Sequence, residues 1–97
     1  MKFEWDENKN KQNFKKHEIT FEMARLVFGD PHLVGWVERI QDDEERWRTI
    51  GIATGILLLV VVHTRIELDG QEIIRIISAR TATKPERRSY EERVGYP

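Results

Sequence analysis

The chain has no cysteine. That excludes disulfide frameworks, thiolate zinc centres and cysteine nucleophiles, and it fits a reducing compartment such as the cytoplasm. Long apolar runs are missing too. The longest, Gly51 to Val62, is interrupted by Thr54 and Gly55, is too short to cross a bilayer, and reads as core strands. Met1-Lys2-Phe3-Glu4-Trp5-Asp6 lacks the apolar segment of a signal peptide. A cytoplasmic protein with no membrane partner is the expectation. Charge of one sign is also lacking: 16 Lys and Arg stand against 17 Asp and Glu, a net charge of -1. Nucleic acid therefore cannot be held by bulk charge and would need a local basic patch.

Standard chemical motifs are absent as well. There is no Walker loop, no glycine-rich dinucleotide fingerprint, no pair of histidines one helical turn apart, no Gly-x-Ser-x-Gly elbow and no metal-ligand spacing of carboxylates. No metal and no cofactor is expected.

What is present suits one small domain spanning residues 1–97, with 39% apolar and 34% charged residues. Such a chain buries one core but no deep enclosed cleft. Lys2 to Trp5 alternates like a short edge strand. Asp6 can cap a helix from Glu7 to Lys16, basic through Lys9, Lys11, Lys15 and Lys16, with Phe14 as its main apolar anchor. His17 ends it, where imidazole can complement the helix dipole or move protons. Thr20 can cap a second helix, Phe21 to Phe28, whose stripe of Phe21, Ala24, Val27 and Phe28 packs on the core. Gly29 is its expected C′ residue, and Asp30-Pro31 stops it.

Four strands follow: Leu33 to Ile40, Arg46 to Ala53, Ile56 to Arg65, and Glu72 to Arg80. Their connections are an acidic turn at Gln41–Glu45, Thr54-Gly55, and the hairpin signal Asp69-Gly70. Short connections imply an antiparallel meander. Arg46 and Arg48 share a strand face with Ile50 and Ile52, and Trp47 points the other way. His63 and Arg65 share a face at the exit of the most apolar, hence central, strand. The fold class is α+β: a four- to five-stranded antiparallel meander packed by two N-terminal helices and one C-terminal helix. Val94-Gly95-Tyr96-Pro97 reads as a loose tail.

The chain is organised around residues 73–90. An apolar β-branched strand carrying Arg75 and Arg80 runs into a helix capped by Thr83, with Pro85 in the first turn and Glu86 at capping-box spacing. Cations thus arrive at a positive helix start, which suits an anion. A core strand with two solvated arginines is the plainer account. Arg75, Arg80, Lys84, Arg87, Arg88 and Arg93 outnumber Glu86, Glu91 and Glu92 here, a local excess where a phosphate backbone would bind. Arginine, lysine, histidine, glutamate and tyrosine suffice for RNA cleavage without metal. The 2′-hydroxyl attacks the adjacent phosphate, arginine matches the added charge, and His or Glu moves protons. The same set also suits passive RNA binding.

Two groups of residues carry a family resemblance. Phe3-x-Trp5-Asp6, Asn13-x-x-Lys16-His17-x-Ile19-x-Phe21-x-x-Ala24 and Val27-Phe28-x-Asp30 resemble the N-terminal half of the BrnT family. Arg46, Ile50-Gly51, the strand Leu58 to Thr64, and Arg75-Ile76-Ile77-Ser78-Ala79-Arg80 with Glu86 and Tyr90 resemble its C-terminal half. The resemblance implies a RelE-like fold and a ribonuclease toxin of a type II toxin–antitoxin pair that inhibits translation and growth. It also implies neutralisation by a BrnA-like antitoxin, with operator DNA bound only through that antitoxin. The chain departs from the pattern at Thr81, where lysine is common, and Lys84 is the candidate substitute.

On this reading the catalytic candidates are His17, Arg65, Arg75, Arg80, Glu86 and Tyr90. Arg65, Arg75 and Arg80, with Arg46, would hold phosphate. His17 or Glu86 would move protons, and Tyr90 would position. Lys15, Lys16, Arg46, Lys84 and Arg87 are the RNA-binding candidates. Arg75 and Arg80 are five residues apart and face opposite ways in a regular strand, so only a bulge or a strand end unites them. The rival reading is a catalytically silent module that holds a DNA-binding antitoxin in an autorepressing complex.

Overall fold

The computed structural model describes residues 1–95. Its elements run β1 (Lys2–Glu4), α1 (Glu7–His17), α2 (Phe21–Ala24), a 3-10 turn (Arg25–Gly29), β2 (Val34–Gln41), β3 (Glu44–Thr54), β4 (Leu57–Leu68), β5 (Gln71–Thr81) and α3 (Lys84–Val94). The strands form one sheet in the order β1-β5-β4-β3-β2. Strands β2 to β5 are the antiparallel meander, whereas β1 joins β5 in parallel. That parallel edge departs from the all-antiparallel expectation. The α1–α2 segment carries the chain back over the sheet, so no hairpin constrains the direction of β1.

Of the three two-residue hairpins, two use left-handed backbone at both positions, Asp42 and Asp43 (φ 54° and 61°) and Asp69 and Gly70 (φ 51° and 77°). This geometry matches the twist of the flanking strands, and Asp and Gly adopt it readily.

The sheet has an inner face under α1, α2 and the 3-10 turn. There Leu59, Val61, Ile74, Ile76 and Ala79 pack against Ile19, Phe21, Ala24 and Val27. Gly51 lets the 3-10 turn close on β3, since a Cβ there would lie 2.8 Å from Val27 Cγ1. On the outer face, α3 covers one end only, where Tyr90 packs on Ile50, Leu58 and Val60. The rest of that face is open.

Helix α1 is not anchored by Phe14, which is 51% exposed. Two buried asparagines hold it instead. The Asn13 amide donates to the carbonyls of Ile19 and Ala79, both at 2.8 Å, and its oxygen accepts the Ala79 amide at 3.1 Å. It thereby serves β5 as a neighbouring strand would. Asn10 accepts the Phe21 amide at 2.8 Å and donates to Glu22 at 2.8 Å. The second helix is shorter than its apolar stripe suggests: α-helix ends at Ala24, and Gly29 closes a 3-10 turn instead of standing beyond a helix end. Gly95 caps α3 with left-handed backbone. Tyr96 and Pro97, the rest of the expected loose tail, lie outside the described residues.

Candidate functional site

Arg75 pairs with Thr64 and Arg80 with Val60, and Thr64 and Val60 share a face of β4. The two arginines therefore share the outer face. The register passes from Val62–Ser78 to His63–Ile76, leaving Ile77 as an extra residue. This bulge supplies the parity change that a regular strand lacks. A second bulge acts the same way in β2. Val37 pairs with Trp47 and Arg39 with Arg46, so Glu38 is extra and Arg39 returns to the outer face. Arg46 and Arg48 reach that face through plain alternation in β3.

The open part of the outer face thus gathers Arg39, Arg46, Arg48, Arg75 and Arg80. Carboxylates stand among them. Glu86 takes both arms of Arg80, Nη1 to Oε1 at 2.8 Å and Nη2 to Oε2 at 3.0 Å. Its Oε1 also accepts the Thr83 amide at 2.8 Å, completing the capping box that starts α3. The anion held at this positive helix start is the chain's own carboxylate. Arg48 contacts Glu86 at 3.8 Å and is hydrogen-bonded to Glu38. Arg46 lies 3.7 Å from Glu44, and Arg75 lies 3.7 Å from Glu4. The Nε atoms of Arg46 and Arg48 are buried without a hydrogen-bond partner among the described residues.

The Arg80 fork, helped by the Thr83 amide, holds the Glu86 carboxyl down at a pKa of about 2 against the opposing effect of burial. Glu86 reciprocally pushes the Arg80 pKa up. A carboxylate so bound is a poor proton acceptor and is well suited to aiming a guanidinium.

The other candidates do not join this cluster. Arg65 is on the inner face, paired with Ile74, ion-paired with Glu72 and 5.5 Å from the Trp47 ring centre. Strand parity therefore keeps it off the face that holds Arg46, Arg75 and Arg80, because no bulge lies between Arg65 and Thr64. His17 is half-buried at the end of α1, one turn beyond Asn13. Lys15 and Lys16 are exposed on the same helix, and Lys84 is exposed at the start of α3. Arg87 is tied to the β3–β4 turn, donating to the Ile56 carbonyl at 3.1 Å. The Tyr90 hydroxyl donates to Asp30, which also accepts the amides of Ile52 and His32, each at 2.8 Å. Tyr90 therefore pins α3 to the 3-10 turn and β3. Burial pushes the Asp30 pKa up, but the Ile52 amide, Tyr90 hydroxyl and His32 amide together hold it below the ordinary value.

His63 is a core residue. Its Nε2 lies 2.7 Å from Thr49 Oγ1 and its Nδ1 lies 3.0 Å from the Thr64 carbonyl. A carbonyl can only accept, so Nδ1 carries the proton and Nε2 accepts from Thr49. Burial pushes the His63 pKa down, and nearby Arg65 adds to this.

Reading residues from the strand pattern missed Arg48, Arg39 and Glu38. Arg48 was within reach, since it alternates with Arg46. Arg39 and Glu38 were not, because the β2 bulge leaves no mark in the apolar alternation. No group of three or more His, Cys, Asp or Glu among the described residues is placed to hold a metal ion. No helix among them is long and apolar enough to cross a membrane.

A family model described as "Ribonuclease toxin, BrnT, of type II toxin-antitoxin system" matches residues 5–86. The chain belongs to the BrnT family. Among solved structures it resembles the crystal structure of the Brucella abortus ribonuclease toxin, BrnT. The identity is 27%, the TM-score is 0.60, and the match covers 87% of this chain and 99% of that one. A comparison with curated proteins gives no match. The BrnT match spans the five outer-face arginines and Glu86, so the whole cluster except Glu4 lies inside the toxin region. Membership in a type II toxin–antitoxin family also brings an antitoxin partner.

Proposed function

We propose that this chain is a metal-independent endoribonuclease that inhibits translation and growth, and that the open outer face is where it cleaves RNA. The observation that carries the reading is the convergence of Arg46, Arg48, Arg75 and Arg80 on one open face through the β5 bulge and the alternation of β3. The reaction is attack of a 2′-hydroxyl on the adjacent phosphorus. It forms a 2′,3′-cyclic phosphate and releases the 5′-oxygen of the next nucleotide. Guanidinium forks match the phosphate oxygens and favour the added charge of the transition state. Glu86 aims Arg80. Glu86, held as an ion, is a poor proton carrier, and His17 stands apart from this cluster at the end of α1, so the arginine face by itself accounts for charge stabilisation and not for proton transfer. Lys15, Lys16, Lys84 and Arg87 would extend the phosphate contacts beyond the face.

The partner in this reading is a BrnA-like antitoxin whose own DNA-binding part holds operator DNA. The toxin would reach DNA only through it, in the cytoplasm. A silent binding module remains the second reading, favoured by one observation: Arg46, Arg48, Arg75 and Arg80 each already lie against a carboxylate. Induced expression of the chain alone, with total RNA analysed, separates the two. Fragmented RNA with growth arrest supports the enzyme, and intact RNA with tight antitoxin binding supports the module. With purified protein, cleavage that persists in EDTA supports the metal-independent route. Loss on chelation with recovery in magnesium overturns it.

A further inference from the structure

Trp36 is 42% exposed. It pairs with Arg48 across β2 and β3, so its indole lies on the outer face beside the arginine cluster. The next outer-face pair along these strands is Arg39 with Arg46. An exposed aromatic ring therefore stands opposite Arg48 and one outer-face pair from Arg39 and Arg46, while Arg75 lies further across the sheet on β5, beside Thr64. Neighbouring strands are about 4.8 Å apart, so Arg39, Arg46 and Arg75 line up across the sheet at right angles to the strands, with Arg48 one outer-face pair to the side, opposite Trp36. Arg39 has no ion-pair partner among the described residues, unlike the other arginines of the face.

We propose that Trp36 is a stacking platform for an unpaired base of single-stranded RNA, with Arg39, Arg46 and Arg48 holding the adjoining phosphates. The proposal rests on the reading of the outer face as the RNA site, and it adds a preference for unpaired RNA. A stacked base needs an exposed flat apolar ring, while the sugar-phosphate chain needs cations near it, and β2 and β3 present a part-exposed indole with arginines on the same face. A base within a duplex keeps both its faces stacked and cannot reach Trp36. Charge favours RNA as the occupant over an apolar protein segment. Arg39, Arg46 and Arg48 share the face of the ring, and an apolar segment would leave Arg39, which has no carboxylate partner among the described residues, unmatched.

The probes are a short single-stranded 2′-O-methyl RNA, which cannot be cleaved through its 2′-oxygen, its duplex with a complementary strand, and inorganic polyphosphate, which has charge but no bases. Binding is measured with the full chain, Trp36→Ala, Trp36→Phe, Arg46→Ala and Arg48→Ala. Thermal melts of each confirm folding. Wild type should prefer the single strand to the duplex. Trp36→Ala should weaken single-strand binding by about 5- to 150-fold, the range usual for losing one stacked base. Trp36→Phe should retain most of it. Polyphosphate should bind Trp36→Ala as it binds wild type. The proposal is overturned if folded Trp36→Ala binds the single strand as tightly as wild type, or if it loses polyphosphate equally. It is also overturned if Trp36→Ala spares RNA and weakens only the antitoxin complex. If Arg46→Ala and Arg48→Ala also leave RNA binding intact, the outer face itself is not the RNA site. If only the arginine variants lose binding, that site stands and Trp36 has no part in it.

Discussion

Glu86 accepts both arms of the Arg80 guanidinium, at 2.8 and 3.0 Å, and so fixes the plane in which that fork lies on the outer face. A fixed fork is what a phosphate in transition needs, because a preorganised donor costs no reorganisation during the reaction. Arg80→Ala should lower RNA cleavage by about 10² to 10³, the usual loss on removing one such donor. Arg80→Lys should be nearly as inactive, since it keeps the charge and loses the plane. Stability should fall by only about 1 kcal/mol, because the pair is partly solvated. Toxicity on induction, read beside the thermal midpoint, checks both. Full toxicity in both variants would move the site elsewhere.

The same pair makes stability depend on acid. The Glu86 carboxyl drops from its ordinary 4.5 to about 2 in the folded chain. A depressed carboxyl adds stability above its unfolded value and loses it as pH falls through the folded one, so the loss runs from about 4.5 down to about 2. Discounted for the partial solvation of the pair, its size is on the order of 1 to 2 kcal/mol, shared between the Arg80 fork and the Thr83 amide. Glu86→Gln keeps a capping-box side chain without the charge. Its melting point should decline less than that of wild type over this range. Parallel acid profiles would contradict the assignment.

Tyr90→Phe should separate structure from chemistry in the opposite way. The hydroxyl is bonded to Asp30, which ties α3 to the 3-10 turn and β3. Its removal should cost about 1 to 2 kcal/mol of stability and leave cleavage by the folded protein unchanged. A folded variant with lost cleavage would make Tyr90 part of the reaction.

His63 should behave as a neutral core group. Its pKa is pushed below the ordinary 6.5 by burial. The unfolded chain then binds the extra proton first, so stability is full above about pH 6.5 and falls as pH drops below it. His63→Gln should be less stable overall and should lack this contribution, with cleavage retained where it is folded. Denaturant melts at several pH values measure the effect. Complete loss of cleavage in a folded variant would bring His63 into the mechanism.

The antitoxin should cover charge. A domain of this size is expected to be neutralised by masking the surface RNA uses. An interface of about 1,600 Å² or more is expected. Hydrogen exchange of the complex against the free chain should show protection over α1, over residues 75–93, or over both. An antitoxin complex that leaves both regions as exposed as before would count against this.

Much of this architecture was legible from side-chain alternation. Leu58 to Thr64 announces a central strand, and Asp69-Gly70 a hairpin. Thr83, Pro85 and Glu86 announce the start of α3, and all are found where the pattern puts them. The failures have one physical origin: contacts made by polar groups with distant backbone leave no periodicity. Asn10 and Asn13 hold α1 through such bonds, and Phe14, the obvious apolar anchor, faces solvent. Strand parity alone separated Arg75 from Arg80 and gave no sign of Arg39. Both outcomes hang on single extra residues, Ile77 and Glu38, that look like ordinary strand positions in the sequence.

The β5 bulge gives that strand one residue more than a shared face for its arginines would need in regular pairing. Ile77 is half-buried, and exchanging it for another apolar residue changes a shape and little else. Deleting it is a different operation. With the pairing of Ser78 to Thr81 kept, Ile76 would directly precede Ser78 and still stand opposite His63, and Arg75 opposite Thr64. The strand would become regular, and Arg75 and Arg80, now four residues apart, would keep the outer face. Losing a residue while keeping the bulge would instead send Arg75 under the helices and Ile74 and Ile76 out to water. The bulge and the odd interval from Arg75 to Arg80 therefore compensate each other, whereas the Asp42–Asp43 and Asp69–Gly70 turns, standing outside the packed layers, can lengthen without moving an arginine.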